Sequence, residues 1–439
     1  MNTELPIWLN ESWNELVETI PVDLEATAQS YNALQRRRGI RSATDLLRMV
    51  LIYALTLSLR ATALWVACLG LADVTYQAVA KRIHAASAWL DHLIQALLLS
   101  QLSVPEALGQ TTRSLVIVDA STFSRPGSPG TEWRLHLRFA PFIQQPTNVV
   151  LTDAHGGEHL RQVDLQAEDI VLADRCYGVW SNMECVFEAR ADAVFRISWN
   201  TFPLVSLEDG QQVDLPAWLK SLSPTTTIAE RAVAAKDDPQ RRSLRLIAGR
   251  LPQEAADRAR AKIRKAARRK GRTPDRRTLL AAGFCILITT LPAEKWSAEE
   301  LLALYRVRWQ VEWCIRRWKS LCELKRLPAY PAPIAEEVLK AKLILILLLH
   351  QCLARLDLPW HQWWTGKIPP PVISTLMVSL YCHLCETVRP AAALERLLEN
   401  PQRYLRHLCS SRRKRPLQWA DAARRWLLHF AREPAPNVP

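Results

Sequence analysis

The stretch from Tyr305 to Lys319, YRVRWQVEWCIRRWK, decides how the rest of the chain is interpreted. In an α-helix its polar residues Tyr305, Arg308, Glu312 and Lys319 would fall within about 60° of one another. One side of such a helix presents a phenol, a guanidinium, a carboxylate and an ammonium. A carboxylate between phosphate-binding cations is what a metal-dependent phosphoryl-transfer site requires from a helix. A solvated helix face with an Arg–Glu ion pair is the alternative interpretation.

Two aspartates upstream favour the first interpretation. Asp119 follows the apolar run Leu115-Val-Ile-Val, and Asp174 follows Ile170-Val-Leu-Ala, as expected when two buried strands each deliver a carboxylate. Turn formation is the ordinary explanation for an aspartate at a strand end. Three acidic groups placed close together raise one another's pKa values unless divalent cations lie between them. Because these ligands are all oxygens, the pattern predicts Mg²⁺ or Mn²⁺ rather than zinc.

The composition indicates a globular protein with a polyanionic partner. The chain has 439 residues, is 49% hydrophobic and carries a net charge of +14. Residues 255–277 hold eleven Lys or Arg against two Asp, so we expect this segment to contact the phosphates of a polyanion. A solvated basic helix or a disordered loop is the alternative. The longest apolar run, residues 343–349, is far shorter than the roughly 20 residues of a membrane span.

The cysteines and histidines give no sign of a disulfide framework or a zinc site. Ten cysteines are scattered along the chain, which is typical of a reducing cytoplasm. Cys382 and Cys385 form a CxxC pair, but no second pair stands at a zinc spacing. His136, His155 and His350 lack ligand spacing and are interpreted as structural. We also see no secretory signal at the N-terminus.

At these positions the chain resembles the DDE transposases of the insertion-sequence-four family. The family signature is Tyr, two residues, Arg, three residues, Glu, six residues and Lys, and the Tyr305 stretch matches it at every spacing. Asp119, in VDAST, resembles the first catalytic aspartate of the family, and Asp174, in ADRCYG, resembles the second. The resemblance covers roughly residues 40 to 330.

The resemblance implies an α/β fold with an RNase H-like mixed-sheet catalytic core. A mostly β insertion domain would interrupt this core, and helical N- and C-terminal regions would flank it. The 138 residues from Asp174 to Glu312 leave room for the insertion. The expected regions are a helical DNA-binding region (1–110), the first part of the core (111–198), a β-rich insertion with the basic segment (199–282), the second part of the core (283–330) and a helical region for dimerisation (331–439).

The resemblance also implies a function, which is cutting DNA at the ends of a mobile element and joining them to target DNA. Asp119, Asp174 and Glu312 would be the catalytic residues and would hold two Mg²⁺ ions, with Mn²⁺ as a substitute. The remaining residues expected to bind DNA are Tyr305, Arg308, Lys319, Arg175, Phe284, Arg264, Lys265, Arg268, Arg269 and Lys270. Phe284 stands where some relatives carry a Trp that stacks on a flipped base, although it also fits an ordinary strand.

The implied partners are double-stranded DNA, as terminal inverted repeats and target, and a second copy of the chain in the DNA complex. The implied location is the prokaryotic cytoplasm, close to the nucleoid. In the N-terminal region, residues 59–84 fit either a helix-turn-helix unit or a plain helical hairpin. Two other functions remain compatible with the sequence. One is an RNase H-fold nuclease without strand transfer, and the other is a non-catalytic DNA-binding regulator derived from a transposase.

Overall fold

Six helices precede the sheet. In the computed structural model, which describes residues 12–100, 113–329, 334–356 and 370–408, they are α1 (Trp13–Glu18), α2 (Leu24–Ser30), α3 (Ala43–Thr56), α4 (Leu59–Cys68), α5 (Tyr76–Ala85) and α6 (Ser87–Ser100). The side chain of Ser42 caps α3 by accepting a hydrogen bond from the backbone N–H of Asp45. Helices α4 and α5 confirm the two helices predicted for residues 59–84. Whether this pair binds DNA stays a prediction.

Five strands then form a mixed sheet with RNase H-like order. They are β1 (Ser114–Phe123), β2 (Trp133–Ala140), β3 (Gln145–Asp153), β4 (Asp169–Ala173) and β5 (Asp192–Arg196), with helix α7 (Trp180–Glu188) between β4 and β5. Strands β1, β4 and β5 run parallel, while β2 and β3 join β1 as an antiparallel meander. The resulting order, β3-β2-β1-β4-β5, confirms the predicted fold class. Every residue of β4 is buried, as expected of a central parallel strand.

The insertion continues the same sheet. Its elements are β6 (Leu204–Ser206), α8 (Leu215–Ser221), β7 (Ile228–Ala235), β8 (Leu244–Arg250), α9 (Gln253–Arg269) and α10 (Arg276–Ala281), and β9 (Phe284–Thr289) follows them. Strand β9 pairs antiparallel with both β5 and β8, which gives nine strands in the order β3-β2-β1-β4-β5-β9-β8-β7-β6. The strand pattern did not predict α8, α9 and α10. Helix α9 and the start of α10 contain most of residues 255–277, so the basic segment is largely helical.

The Tyr305 stretch is not one continuous α-helix. Helix α11 (Ala298–Tyr305) ends at Tyr305, residues 306–308 form a 3₁₀ turn, and α12 (Trp309–Ser320) begins at Trp309. A 3₁₀ turn has about three residues per turn instead of 3.6, so it changes the direction of the side chains that follow. The single continuous α-helix assumed for the four signature residues is therefore wrong. The tighter turn buries Arg308 and leaves Trp309 at the surface.

Helices also form the described part of the C-terminal region. They are α13 (Ala335–Arg355), α14 (Pro370–Val388), α15 (Glu395–Glu399) and α16 (Pro401–Leu405). Helix α13 is buried along most of its length and packs against α3, α6 and α14. Among the helices of the described residues, none combines the length and apolar character needed to cross a membrane.

The sheet separates two hydrophobic layers, and this determines where Asp119 points. Ile117 packs into the layer that contains α3, α6, α12 and α13, whereas Val118 packs into the layer that contains α7 and α8. Because successive side chains of a strand alternate between its two faces, Asp119 lies on the same side as Ile117. That side is the one on which α12 contacts β1.

Candidate active site

Asp119 and Asp174 lie beside each other at the same edge of the sheet. Strands β1 and β4 are parallel, and their last residue pair is Val118 with Ala173. Asp119 and Asp174 each directly follow a member of this pair in the chain. The backbone N–H of Ala120 donates to Asp119 Oδ1 at 2.8 Å, and that of Cys176 donates to Asp174 Oδ1 at 2.8 Å. The register of two parallel strands thus brings the two predicted carboxylates together.

Asp119 is the most perturbed acid of this group. Burial raises the pKa of its carboxyl to about 7, against the opposing hydrogen bond from Ala120. The negative charges of Asp174 and Glu312 contribute to this raised pKa, whereas the charge of Arg308 opposes it. Asp119 therefore interacts electrostatically with both other predicted carboxylates, one on β4 and one on α12.

Glu312 forms an ion pair with Arg308. The Nη2 atom of Arg308 donates to Glu312 Oε1 at 2.5 Å, and the Arg308 side chain is only 7% exposed. The Nε atom of Arg308 is also buried and has no hydrogen-bond partner among the described residues. As the side chains lie here, no three His, Cys, Asp or Glu residues of the described ranges are grouped so that they could hold a metal ion. The predicted metal site requires the Glu312 carboxylate from α12, but here this carboxylate is paired with Arg308.

Lys319 and Tyr305 border the acidic group from two sides. The Nζ atom of Lys319 lies 3.5 Å from the carbonyl oxygen of Thr122 and 4.9 Å from the centroid of the Phe123 ring, beyond Asp119 on β1. Burial lowers the pKa of Lys319, and the charge of Asp119 opposes that shift. Tyr305 is buried, and its hydroxyl has no hydrogen-bond partner within the described part of the chain. Burial raises the pKa of the Tyr305 phenol above its ordinary value.

Arg196 is a residue of this region that the sequence patterns missed. Burial lowers the pKa of the Arg175 guanidinium, and the charge of Arg196 lowers it further, so the two cations lie near each other. Arg196 ends β5, which neighbours β4 in parallel, and parallel strands deliver their C-terminal residues to one edge. The position of Arg196 at the end of a strand that follows β4 was the signal that could have identified it.

A cavity of about 600 Å³ opens next to Tyr305. Its charged lining residues are the cations Arg196, Arg250 and Arg306 and a single acid, Glu299. Trp309 also lines it and is 53% exposed. The first part of α9 borders the same cavity through Ala259, so the basic helix begins beside the Tyr305 region.

Phe284 does not present its ring at the surface. The residue is only 4% exposed and packs among buried side chains of the layer that contains α7 and α8. The Cζ atom of Arg250 lies 4.7 Å from its ring centroid. Phe284 therefore lies in β9 as an ordinary buried strand residue, in agreement with the alternative interpretation of this position.

The predicted cations of the basic segment lie together on the solvent side of α9. Arg264, Lys265, Arg268 and Arg269 are exposed, and Lys270 follows directly after the helix. In the described structure, the ion pairs of this segment involve other cations, namely Arg258, Arg260 and Arg277. The four cations from Arg264 to Arg269 therefore form a row of positive charge for which the described residues show no ion pair.

The chain is similar in sequence to known transposases. Residues 110–348 match the family model described as the transposase DDE domain. The chain is 33% identical over 362 residues to the putative transposase InsL of insertion sequence element IS186A of Escherichia coli (strain K12), covering 80% of this chain and 96% of the relative. It is 32% identical to the Escherichia coli transposase of insertion sequence element IS421, with the same coverage. Among solved structures, a piggyBac transposase synaptic complex with hairpin DNA aligns over 99% of this chain and 92% of that one, with 11% identity and a TM-score of 0.43.

Proposed function

Because this chain belongs to the DDE transposase family, we propose that it cuts DNA at the ends of an insertion sequence and joins those ends to target DNA. The observation that carries the proposal is the placement of Asp119, within β1, beside Asp174, which directly follows β4, with Glu312 in electrostatic contact from α12. The cleaved bond and the joined bond are both phosphodiesters, so one carboxylate site serves both steps.

Asp119, Asp174 and Glu312 are the residues that would hold two divalent metal ions, Mg²⁺ or Mn²⁺. The donor set fits such ions because it consists of carboxylate oxygens only. The raised pKa of Asp119 supports this assignment, since a bound cation would replace the proton that burial favours on this carboxyl. When bound, the ions supply the charge that activates the attacking oxygen and stabilises the leaving oxygen. Glu312 would have to turn away from Arg308 to take part.

Arg308, Lys319 and Tyr305 would hold the phosphodiester next to the carboxylates. Once Glu312 releases it, Arg308 offers a guanidinium to a phosphate, and Lys319 offers an ammonium at the end of β1. The raised pKa keeps the Tyr305 phenol protonated, so it can donate a hydrogen bond. These roles are positioning roles, and we propose no covalent bond between Tyr305 and DNA.

Further contacts would hold the DNA ends. The exposed cations of α9, with the exposed Arg175 directly after Asp174, would neutralise backbone phosphates. In the N-terminal region, Arg82 of α5 donates to the carbonyl oxygens of Arg36 and Arg38 at 2.8 and 2.5 Å. These bonds fix a loop of exposed arginines beside α5, which supports a DNA-binding role for residues 1–110. Because both ends of the element must be cut and joined to target DNA, we propose that two copies of the chain act in the DNA complex.

A cleavage assay with Glu312→Gln tests the proposal. Purified wild type and variant are incubated with DNA that carries the element ends, in Mg²⁺ and in EDTA. We expect the wild type to cut in Mg²⁺ only, and the variant to bind DNA without cutting it, because glutamine keeps the size of the side chain and removes its charge. Equal cutting by both proteins would refute the three-carboxylate site. Binding without cutting by either would favour a regulator.

A further inference from the structure

A largely buried ion pair closes the hairpin that follows Asp119 on β1. Strand β1 ends at Phe123, which pairs with Trp133 of β2. Between these strands, Arg125 Nε donates to both carboxylate oxygens of Glu132, at 2.8 and 3.0 Å, and Arg125 Nη2 donates to Oε1 as well. The Arg125 side chain is 16% exposed and that of Glu132 is 17% exposed. The hydrogen bonds from Arg125 hold the pKa of the Glu132 carboxyl below its ordinary value.

The pair fixes the backbone of the hairpin as well as its side chains. Most of the loop is exposed, namely residues 124, 126–127 and 129–131, so it has little packing of its own. The backbone N–H of Arg125 donates to Glu132 Oε2 at 2.8 Å, and the backbone N–H of Glu132 donates to the carbonyl oxygen of Phe123 at 3.0 Å. An arginine and a carboxylate joined by several charge-assisted hydrogen bonds have a fixed mutual geometry. The pair therefore determines how β1 ends.

The end of β1 is also the part of the strand that contacts Lys319. The Lys319 Nζ atom lies 3.5 Å from the carbonyl oxygen of Thr122 and 4.9 Å from the centroid of the Phe123 ring. Phe123 is 4% exposed and packs in the layer that contains α12. A carbonyl oxygen and the face of an aromatic ring both attract an ammonium. Because a lysine side chain is long and flexible, such contacts decide where its charge lies.

We propose that Glu132 is a positioning residue for DNA cleavage, which acts through Arg125 to place the Lys319 ammonium. The ion pair holds Thr122 and Phe123, and these two residues hold Lys319. Glu132 itself would touch neither DNA nor metal. The inference rests on the proposed function, in which Lys319 contacts the phosphodiester. The rate of cleavage should depend on this placement, since a misplacement of about 1 Å can slow a reaction by about 100-fold.

A second hairpin of the same sheet offers a matched control. In the turn between β7 and β8, the backbone N–H and Nε of Arg242 donate to Asp238 Oδ2 at 2.8 and 3.0 Å, and Arg242 Nη2 donates to Oδ1 at 3.0 Å. Strand β8 runs from this turn to Arg250, which lines the cavity next to Tyr305, so the turn lies at the far end of β8 from that region. We therefore expect Asp238→Asn to lower the stability without slowing cleavage.

The test combines single-turnover cleavage of end DNA with thermal denaturation of the full-length protein. We expect Glu132→Gln to lower the cleavage rate at saturating protein by about tenfold and to change the half-saturating concentration by less than about twofold, because one lysine is a small part of the binding to a polyanion. Arg125→Gln breaks the pair from its other side and should show the same split. All rates are measured well below the lowest Tm, so that every protein is folded.

A double-mutant cycle shows whether Glu132 acts through Lys319. In the background of Lys319→Gln, Glu132→Gln should slow cleavage by less than about twofold, because the group that it positions is already absent. Losses that multiply in the double variant would overturn the inference. So would cleavage by Glu132→Gln at the wild-type rate, or an equal loss of rate in Asp238→Asn, which would assign the effect to stability alone.

Acylation of Lys319 by acetic anhydride, followed by peptide mass spectrometry in the absence of DNA, separates this inference from the proposed function. Release from Phe123 exposes the amine, so Glu132→Gln should label Lys319 faster than the wild type by about twofold or more, the scale of one weak cation–π contact. If the wild type does not cut DNA but the labelling responds in this way, the proposed function fails while the positioning role stands. If the wild type cuts and neither labelling nor cleavage responds to Glu132→Gln, the positioning role fails while the transposase site stands.

Discussion

Arg308 and Glu312 are joined by a hydrogen bond of 2.5 Å, from Nη2 to Oε1, between the 3₁₀ turn and the first turn of α12. The bond links the two residues with opposite proposed partners, a DNA phosphate for Arg308 and a metal ion for Glu312. Neither partner can be bound in full while the two side chains hold each other. We therefore expect DNA and metal to assist each other's binding, since each releases the residue that the other needs.

The first prediction follows from this competition. Removing the guanidinium in Arg308→Gln should raise the affinity for Mn²⁺ in the absence of DNA by roughly fivefold, which corresponds to an ion pair of about 1 kcal/mol. Isothermal titration with Mn²⁺ measures the change. Arg316→Gln, an exposed arginine of the same helix, is the control and should not alter the affinity. A weaker Mn²⁺ affinity in Arg308→Gln would mean that Arg308 helps to hold the site in its binding geometry.

The second prediction concerns the unpartnered hydroxyl of Tyr305. Because this buried hydroxyl makes no hydrogen bond within the described part of the chain, Tyr305→Phe should leave the free energy of unfolding within about 1 kcal/mol of wild type. If the hydroxyl donates to a phosphate during cleavage, the same change should slow cleavage by about tenfold or more. Thermal denaturation and single-turnover cleavage of end DNA provide the two readouts. Loss of stability together with activity would show a structural role instead.

The third prediction uses the exposed cations of α9. Replacing Arg264, Lys265, Arg268 and Arg269 with Gln should reduce the slope of log affinity against log salt for duplex DNA by up to about 3.6, since each phosphate contact contributes about 0.9. Anisotropy titrations at several salt concentrations measure the slope. Lys236→Gln with Arg241→Gln is the control, because these exposed cations lie in the turn between β7 and β8. An unchanged slope would remove α9 from the DNA-binding surface.

The fourth prediction is a pH dependence of stability that originates at His350. Trp318 Nε1 donates to His350 Nε2 at 3.0 Å, and His350 Nδ1 lies 3.1 Å from Gln145 Oε1, so the neutral ring is satisfied on both sides. Burial and, to a smaller extent, the charge of Arg317 lower the pKa of this imidazole to about 3. Between the unfolded pKa near 6.5 and this value, only the unfolded chain binds the proton.

The stability contributed by neutral His350 is therefore fully present above about pH 6.5 and decreases as the pH falls. From pH 7 to about pH 5, we expect the wild type to lose on the order of 2 kcal/mol more than His350→Phe does. Urea denaturation at the two pH values provides the measurement. A parallel loss in both proteins would assign the acid sensitivity to other groups.

The carboxylate pair could be predicted from the sequence because it depends on local patterns. An apolar run that ends in an aspartate occurs twice, and the parallel register of β1 and β4 places Asp119 and Asp174 side by side. The spacing from Tyr305 to Lys319 similarly indicated one shared region. The strand pattern of the meander was also sufficient, since alternation of side chains depends only on the local period.

Other features depend on tertiary contacts that no local pattern contains. The 3₁₀ turn before Trp309 divides a stretch whose sequence reads as a single helix. Phe284 is buried because β8 and β9 pair within the core sheet, so its role could not be judged from the residue type. Arg196 reaches the site only because β5 lies next to β4. The ion pair of Glu312 with Arg308, by contrast, was contained in the local pattern, because the two residues stand four positions apart and the pair was the alternative interpretation of this stretch.

The antiparallel pairing of β5 with β9 has an evolutionary consequence. Val194 of β5 pairs with Thr289 of β9, so the chain leaves the core and returns to it at adjacent positions. The elements from β6 to α10 lie between these two pairing positions, apart from β1, β4 and α12, which position Asp119, Asp174 and Glu312. Over evolution, changes in the length or sequence of this insertion would therefore alter the proposed DNA contacts of α9 and leave the proposed carboxylate site in place.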